Sequence, residues 1–206
     1  MIVLSDSDVV QKLAYCELLF EFLQYLKCPP NEVWVLPSLK HRLRPKLAGA
    51  PLAVANFDAF LKKVKTVPAA NVATLERFTS LDIGERQLLS LLCDDKRISH
   101  LVTGDKRALV QISALAFGDT QLKARLSETS VLCFESVMLG LMSSRGFGVI
   151  QARVKKWTAI KGHPVDGAVL ACFPAGGSEA HAKKELGKFV ARLSATTPFL
   201  QLPFAE

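Results

Sequence analysis

Three acidic residues stand where a carboxylate could do chemistry. Asp6 directly follows the apolar run Ile2-Val3-Leu4-Ser5, Glu85 heads an apolar-periodic stretch through Leu92, and Asp105 follows the run His100-Leu101-Val102-Thr103 by one glycine. If the two runs are neighbouring strands, these carboxylates converge at one sheet edge, because open parallel sheets present their ligand sites beyond the carboxyl ends of the strands. Converging carboxylates repel one another, and a hard cation with oxygen ligands, Mg²⁺ or Mn²⁺, resolves that repulsion. Such an ion activates water and stabilises the charge that develops as a phosphodiester is displaced. Each acid also has a purely local use. Asp8 with Gln11 reads as an N-cap, Asp82-Ile83-Gly84-Glu85 fits a capping box, and Asp105 can cap the helix after it. Asp6 is the exception, since an acid ending a buried strand must find a partner.

The elements that would position these groups follow from periodicity. Ile2–Ser5, Val33–Leu36, His100–Thr103 and Ser130–Phe134 are short continuous apolar runs of strand type, with Pro37 limiting the second or placing it at an edge. Helical spacing runs through Val9, Leu13, Cys16, Phe20, Leu23 and Leu26 until Cys28-Pro29-Pro30, and again from Phe57 to Val64, from Asp82 to Leu92 and from Asp105 to Leu115. Glu135 opens a further helix. Strands that alternate with helices and are apolar throughout predict an α/β fold with a mainly parallel central sheet covered on both faces.

The formal net charge of +7 favours a polyanionic partner, because a positive field attracts phosphates and releases their counterions. Five scattered cysteines form no CxxC pair and no zinc spacing, which predicts a reducing, cytoplasmic setting without structural zinc. No secretory signal is evident at the amino terminus, and no apolar run approaches the ~20 residues of a membrane span. The four histidines are dispersed and no nucleophile accompanies them, so a nucleophile–histidine mechanism has no support. Gly146-Phe147-Gly148 and Gly176-Gly177 lack the pattern of a phosphate loop. Lys155-Lys156-Trp157 is read as a solvated helix face with one half-buried aromatic.

Taken together, Met1 to Val9 with its Asp6-Ser7-Asp8, Leu81 to Leu92 with Glu85, and Leu101 to Leu109 with Thr103-Gly104-Asp105 resemble the PIN-domain family in order and spacing. The resemblance covers roughly residues 1–145. It implies a PIN-like three-layer α/β/α domain and a Mg²⁺- or Mn²⁺-dependent ribonuclease in which Asp6, Glu85 and Asp105 are the catalytic, metal-coordinating acids, with Asp8 as a further ligand. RNA is then the substrate, and an antitoxin-like protein and a homo-oligomer are both compatible as partners, since many members are toxins. One position departs from the family pattern: Arg42, in Leu36-Pro37-Ser38-Leu39-Lys40-His41-Arg42-Leu43, sits where an acid is expected, with Asp8, Asp82 and Glu135 as candidates to compensate. The alternative is therefore a PIN-like RNA- or protein-binding module whose acidic site is degenerate and does not cut.

Residues 146–206 form a helical C-terminal extension in this reading, with helices expected at about 149–160, 164–173 and 178–194. The apolar tail Phe199, Leu200, Leu202 and Phe204 needs a cover. Packing on the first domain in cis, with basic helices flanking the acidic cleft, is the expected arrangement.

Overall fold

Four apolar runs and one unforeseen dipeptide pair into a single sheet. The computed structural model describes residues 2–163 and 165–200; Met1 of the opening motif, Pro164, and Leu202 and Phe204 of the tail lie outside the described residues. The strands are β1 (Ile2–Ser5), β2 (Val33–Val35), β3 (Lys65–Thr66), β4 (Ile98–Thr103) and β5 (Ser130–Cys133). They form a five-stranded sheet in the order β3-β2-β1-β4-β5, and every pair is parallel. The edge strand β3 carries no apolar signal, and both its residues are exposed, so nothing in the pattern of Lys65-Thr66 announces it. Pro37 falls just after β2 and limits it, but β3 keeps β2 from being the edge.

Parallel strands need crossovers, and helices supply them. These are α1 (Ser7–Tyr15), α2 (Leu19–Tyr25), α3 (Leu39–Leu47), α4 (Pro51–Leu61), α5 (Val72–Glu76), α6 (Ile83–Asp94), α7 (Lys106–Gly118), α8 (Thr120–Ser127) and α9 (Phe134–Arg145). The remainder is α10 (Phe147–Thr158), α11 (Gly167–Cys172) and α12 (Glu179–Ser194). Alternate strand residues feed two apolar clusters. Val3, Val33, Val102 and Leu132 join α1 to α4 and α9 to α11, whereas Leu101, Val131 and Cys133 join α6, α7 and α8. The period-two alternation of side chains thus sends β2, β4 and β5 into both clusters.

Two expectations needed correction. The periodic stretch from Val9 to Leu26 is two helices, because Glu17 adopts a left-handed φ of 52°. The Leu18 N–H then bonds the Leu13 carbonyl at 2.8 Å and the Glu17 N–H bonds that of Ala14 at 3.0 Å, a Schellman-type stop. Lys27, at φ 51°, ends α2 in the same way. Asp8 is not the N-cap of α1. Asp6 is, its carboxylate accepting from the Ser7 N–H, and Asp8 lies inside the first turn.

The extension packs on the preceding elements in cis. Trp157 of α10 stacks on Tyr15 of α1 at a centroid distance of 5.2 Å, and Arg153 pairs with Glu17. The α12 helix contributes Ala182 and Leu186 to one apolar cluster and Val190 and Leu193 to the other. Helix α9 approaches α2 so closely that a Cβ on Gly140 would stand 2.1 Å from the Tyr25 ring, which requires glycine there. Lys155 and Lys156 are exposed, with Lys156 pairing with Glu17, and Trp157 is buried, so the Lys-Lys-Trp run is a solvated face whose aromatic lies deeper than half-buried. Among the described residues no helix is long and apolar enough to cross a membrane.

Candidate functional site at the carboxyl edge of the sheet

The strand order reverses at β1: β2 and β3 extend the sheet to one side, β4 and β5 to the other. The crevice beyond the carboxyl ends of β1 and β4 is therefore the topological switch point, where open α/β sheets place their ligands. A cleft of about 370 Å³ opens there, lined by Asp6, Ser7, Asp8, Gln11, Lys12, Arg42, Lys46, Asp82, Glu85, Gly104, Asp105, Lys106, Arg107 and Asp166. Asp6, Glu85, Asp105 and Asp8 all face this one space.

Asp6 follows β1, and its N–H extends the ladder to the Val102 carbonyl at 2.9 Å. Its carboxylate accepts from the Ser7 N–H at 2.6 Å and from the Thr103 hydroxyl at 3.4 Å. Burial pushes its pKa up, and the charge of Asp8 pushes in the same direction, against the hydrogen bonds from Ser7. Glu85 behaves likewise: burial raises its pKa, and the charges of Asp82, Asp105 and Asp6 add to that, opposed by the Asp82 backbone N–H. Glu85 and Asp82 also make the complete capping box of α6, so Glu85 both caps its helix and faces the cleft. Asp105 caps α7 by accepting from the N–H groups of Arg107 at 2.8 Å and Ala108 at 3.1 Å.

The cations of the cleft fall into two groups. Lys12 lies 2.8 Å from Asp8 and 2.8 Å from Asp166, and Lys106 lies 2.6 Å from Glu135. These two are committed to carboxylates. Arg42, Lys46 and Arg107 make no ion pair among the described residues, and all three are exposed. A Cβ on Gly104 would stand 2.1 Å from the Asp8 carboxylate, so the backbone between Thr103 and Asp105 must be glycine for Asp8 to sit where it does.

Among the described residues no three His, Cys, Asp or Glu side chains are grouped closely enough to be a ready-made metal cage. The donors that face the cleft are nevertheless all oxygens. Mg²⁺ is characteristically held by one or two carboxylates, waters and substrate phosphates, without a full protein cage. Burial, and after it the charges of Asp82, Asp105 and Asp6, raise the pKa of Glu85, and a cation in the cleft would offset those charges.

Several residues at the cleft were not singled out from sequence. Asp166 is the clearest case: it caps α11 and reaches Lys12 across the fold, and no local pattern signals a contact between the extension and α1. The extension was expected to bring basic helices to the cleft, and it brings this acid instead. Glu135, a candidate substitute for the missing acid, is buried beneath Lys106 and is not part of the cleft wall. Comparison with protein-family models, with curated proteins and with solved structures finds no match to this chain.

Proposed function

We propose that the chain is a PIN-like, three-layer α/β/α hydrolase that cleaves RNA phosphodiester bonds with Mg²⁺ or Mn²⁺ held by Asp6, Glu85 and Asp105. The observation that carries this reading is the meeting of those three carboxylates in one cleft at the switch point, with Glu85 raised first by burial and then by the charges of Asp82, Asp105 and Asp6. Bound there, the ion would supply a water of lowered pKa and charge stabilisation for an in-line displacement.

The chain's own groups do the rest. Asp6 is oriented by Ser7 and Thr103, and Asp105 by its cap on α7, so neither carboxylate is free to swing away from the cleft. Asp8 is held by Lys12 and serves as an outer charge of the site. The N–H groups of the first turn of α7 are taken by the Asp105 carboxylate, so the phosphate contacts of this reading come from side chains. A binding module that does not cut is the second reading. It is favoured by one feature, the guanidinium of Arg42 in a cleft where an acid would complete the ligand set.

The test is cleavage of single-stranded RNA in Mg²⁺, in Mn²⁺ and in EDTA, with Asp6→Asn beside the wild type. Cleavage that needs the metal and is lost in Asp6→Asn, by about 100-fold or more as expected for a catalytic electrostatic group, supports the enzyme. Metal-independent cleavage, or cleavage equal in Asp6→Asn, overturns it. Binding without cleavage selects the second reading.

A further inference from the structure

The division of the cleft's cations into committed and uncommitted groups carries information about how a substrate lies. Lys12 neutralises Asp8 and Asp166, and Lys106 neutralises the buried Glu135 while its ammonium sits 4.6 Å from the Phe189 ring centroid. Taking either lysine for a phosphate would strand a buried or half-buried carboxylate, which is costly. Arg42, Lys46 and Arg107 have no such obligation among the described residues.

Their placement is also ordered. Arg42 and Lys46 are four residues apart on α3, hence on one face of the helix and about 6 Å apart along its axis. The buried residues Leu39, Leu43 and Leu47 fix that helix against the core, so the basic face is held outward toward the cleft. Helix α3 has no acid in its first turn, and Lys40 adds to the positive charge around the pair, whereas Arg44 pairs with Asp58 at 3.2 Å. Arg107 stands at the start of α7, which begins just beyond β4, and so marks the other rim. The carboxylates Asp6, Glu85 and Asp105 line the same cleft.

We infer that a single polynucleotide strand crosses the cleft from α3 to the start of α7, with Arg42, Lys46 and Arg107 as its phosphate contacts and with Lys12 and Lys106 making none. This rests on the proposed function for the kind of ligand, and it assigns Arg42 a role that its acid-replacing position alone would not suggest. A phosphate held at each rim would carry the linkage between them over the acidic floor, so the grip and the carboxylates would act on one stretch of backbone.

The prediction is read from salt dependence. Binding of a short fluorescent oligouridylate to the full-length chain is measured by anisotropy in EDTA across a range of KCl, for wild type, Arg42→Gln, Lys46→Gln, Arg107→Gln and the control Lys184→Gln. Lys184 is exposed on α12 and is not among the cleft residues. Each phosphate contact removed from a single strand should reduce the slope of log K against log salt by about 0.7. The three cleft variants should each show that loss and Lys184→Gln should not. Unchanged slopes in the cleft variants, or an equal loss in Lys184→Gln, overturns the path. So does a wild type that cleaves RNA in Mg²⁺ yet does not bind the oligonucleotide in EDTA. A wild type that neither binds nor cleaves removes the proposed function itself, a separate result.

Discussion

At the scale of single residues, the site is electrostatically uncomfortable, and that discomfort is measurable. Asp6 is held above the ordinary carboxylate range chiefly by burial, and Glu85 by burial and by neighbouring carboxylates. A carboxylate with a raised folded pKa binds protons more tightly in the native state than in the unfolded state. Its contribution is therefore fully present below the unfolded pKa, near 4, and is lost as pH rises through the folded value. Ionised at neutral pH, Asp6 costs the fold stability. Asp6→Asn should raise the thermal midpoint at pH 7 in EDTA, and the gain should shrink as pH falls toward 4, when the wild-type acid takes up its proton. A midpoint that falls at pH 7, with no pH-dependent gain, would mean that Asp6 is stabilised by its hydrogen bonds more than it is strained by burial. Such a gain would fit the proposed role of Asp6, since functional groups commonly trade stability for activity. The acid triplet itself could be read from sequence because each member ends a strand or opens a helix. The cations could not, because the pairing of Lys12 with Asp166 joins residues more than 150 positions apart.

Among the elements, what was legible depended on whether a local rule was strong. The capping box at Asp82 and Glu85 located the start of α6, and the apolar runs located β1, β2, β4 and β5. Helix α8 and strand β3 were missed: the first is a short polar-faced helix, the second an exposed dipeptide recruited by the edge of β2. The break between α1 and α2 was missed because apolar periodicity continues through it while Glu17 turns left-handed, and no glycine announces the stop. The same economy leaves an avoidable cost at Lys27, an exposed residue at φ 51°. Lys27→Gly should stabilise the chain by roughly 0.5–1 kcal/mol, since a side chain is disfavoured in that region and glycine is not. Urea denaturation would show it as a higher midpoint at unchanged slope. A lower midpoint would indicate that the aliphatic stem of Lys27, which lines a groove with Phe20 and Leu23, contributes more than the backbone gains.

The whole molecule joins its two halves through shared cores and through the cleft. Helix α12 enters both apolar clusters, α10 stacks Trp157 on Tyr15, and Asp166 fixes Lys12 at the cleft wall. Truncation after Arg145 would strip α10 and α12 from α9, whose Val137, Met138, Leu141 and Met142 are buried in the full chain, and would free Lys12 from one of its two carboxylates. The truncated chain should therefore be poorly soluble and bind the fluorescent dye ANS; a soluble, cooperatively unfolding fragment would show the first 145 residues to be self-sufficient. The extension, on this account, belongs to the architecture that sets the charge of the cleft. The proposed function requires the carboxylates there to hold a hard divalent cation. The decisive measurement is calorimetric titration of Mn²⁺ into the full-length chain, repeated with Asp6→Asn and Glu85→Gln. Saturable binding to the wild type that both substitutions weaken by tenfold or more, about 1.4 kcal/mol each, is the predicted result. Absence of binding, or binding that both variants retain at wild-type affinity, would contradict it.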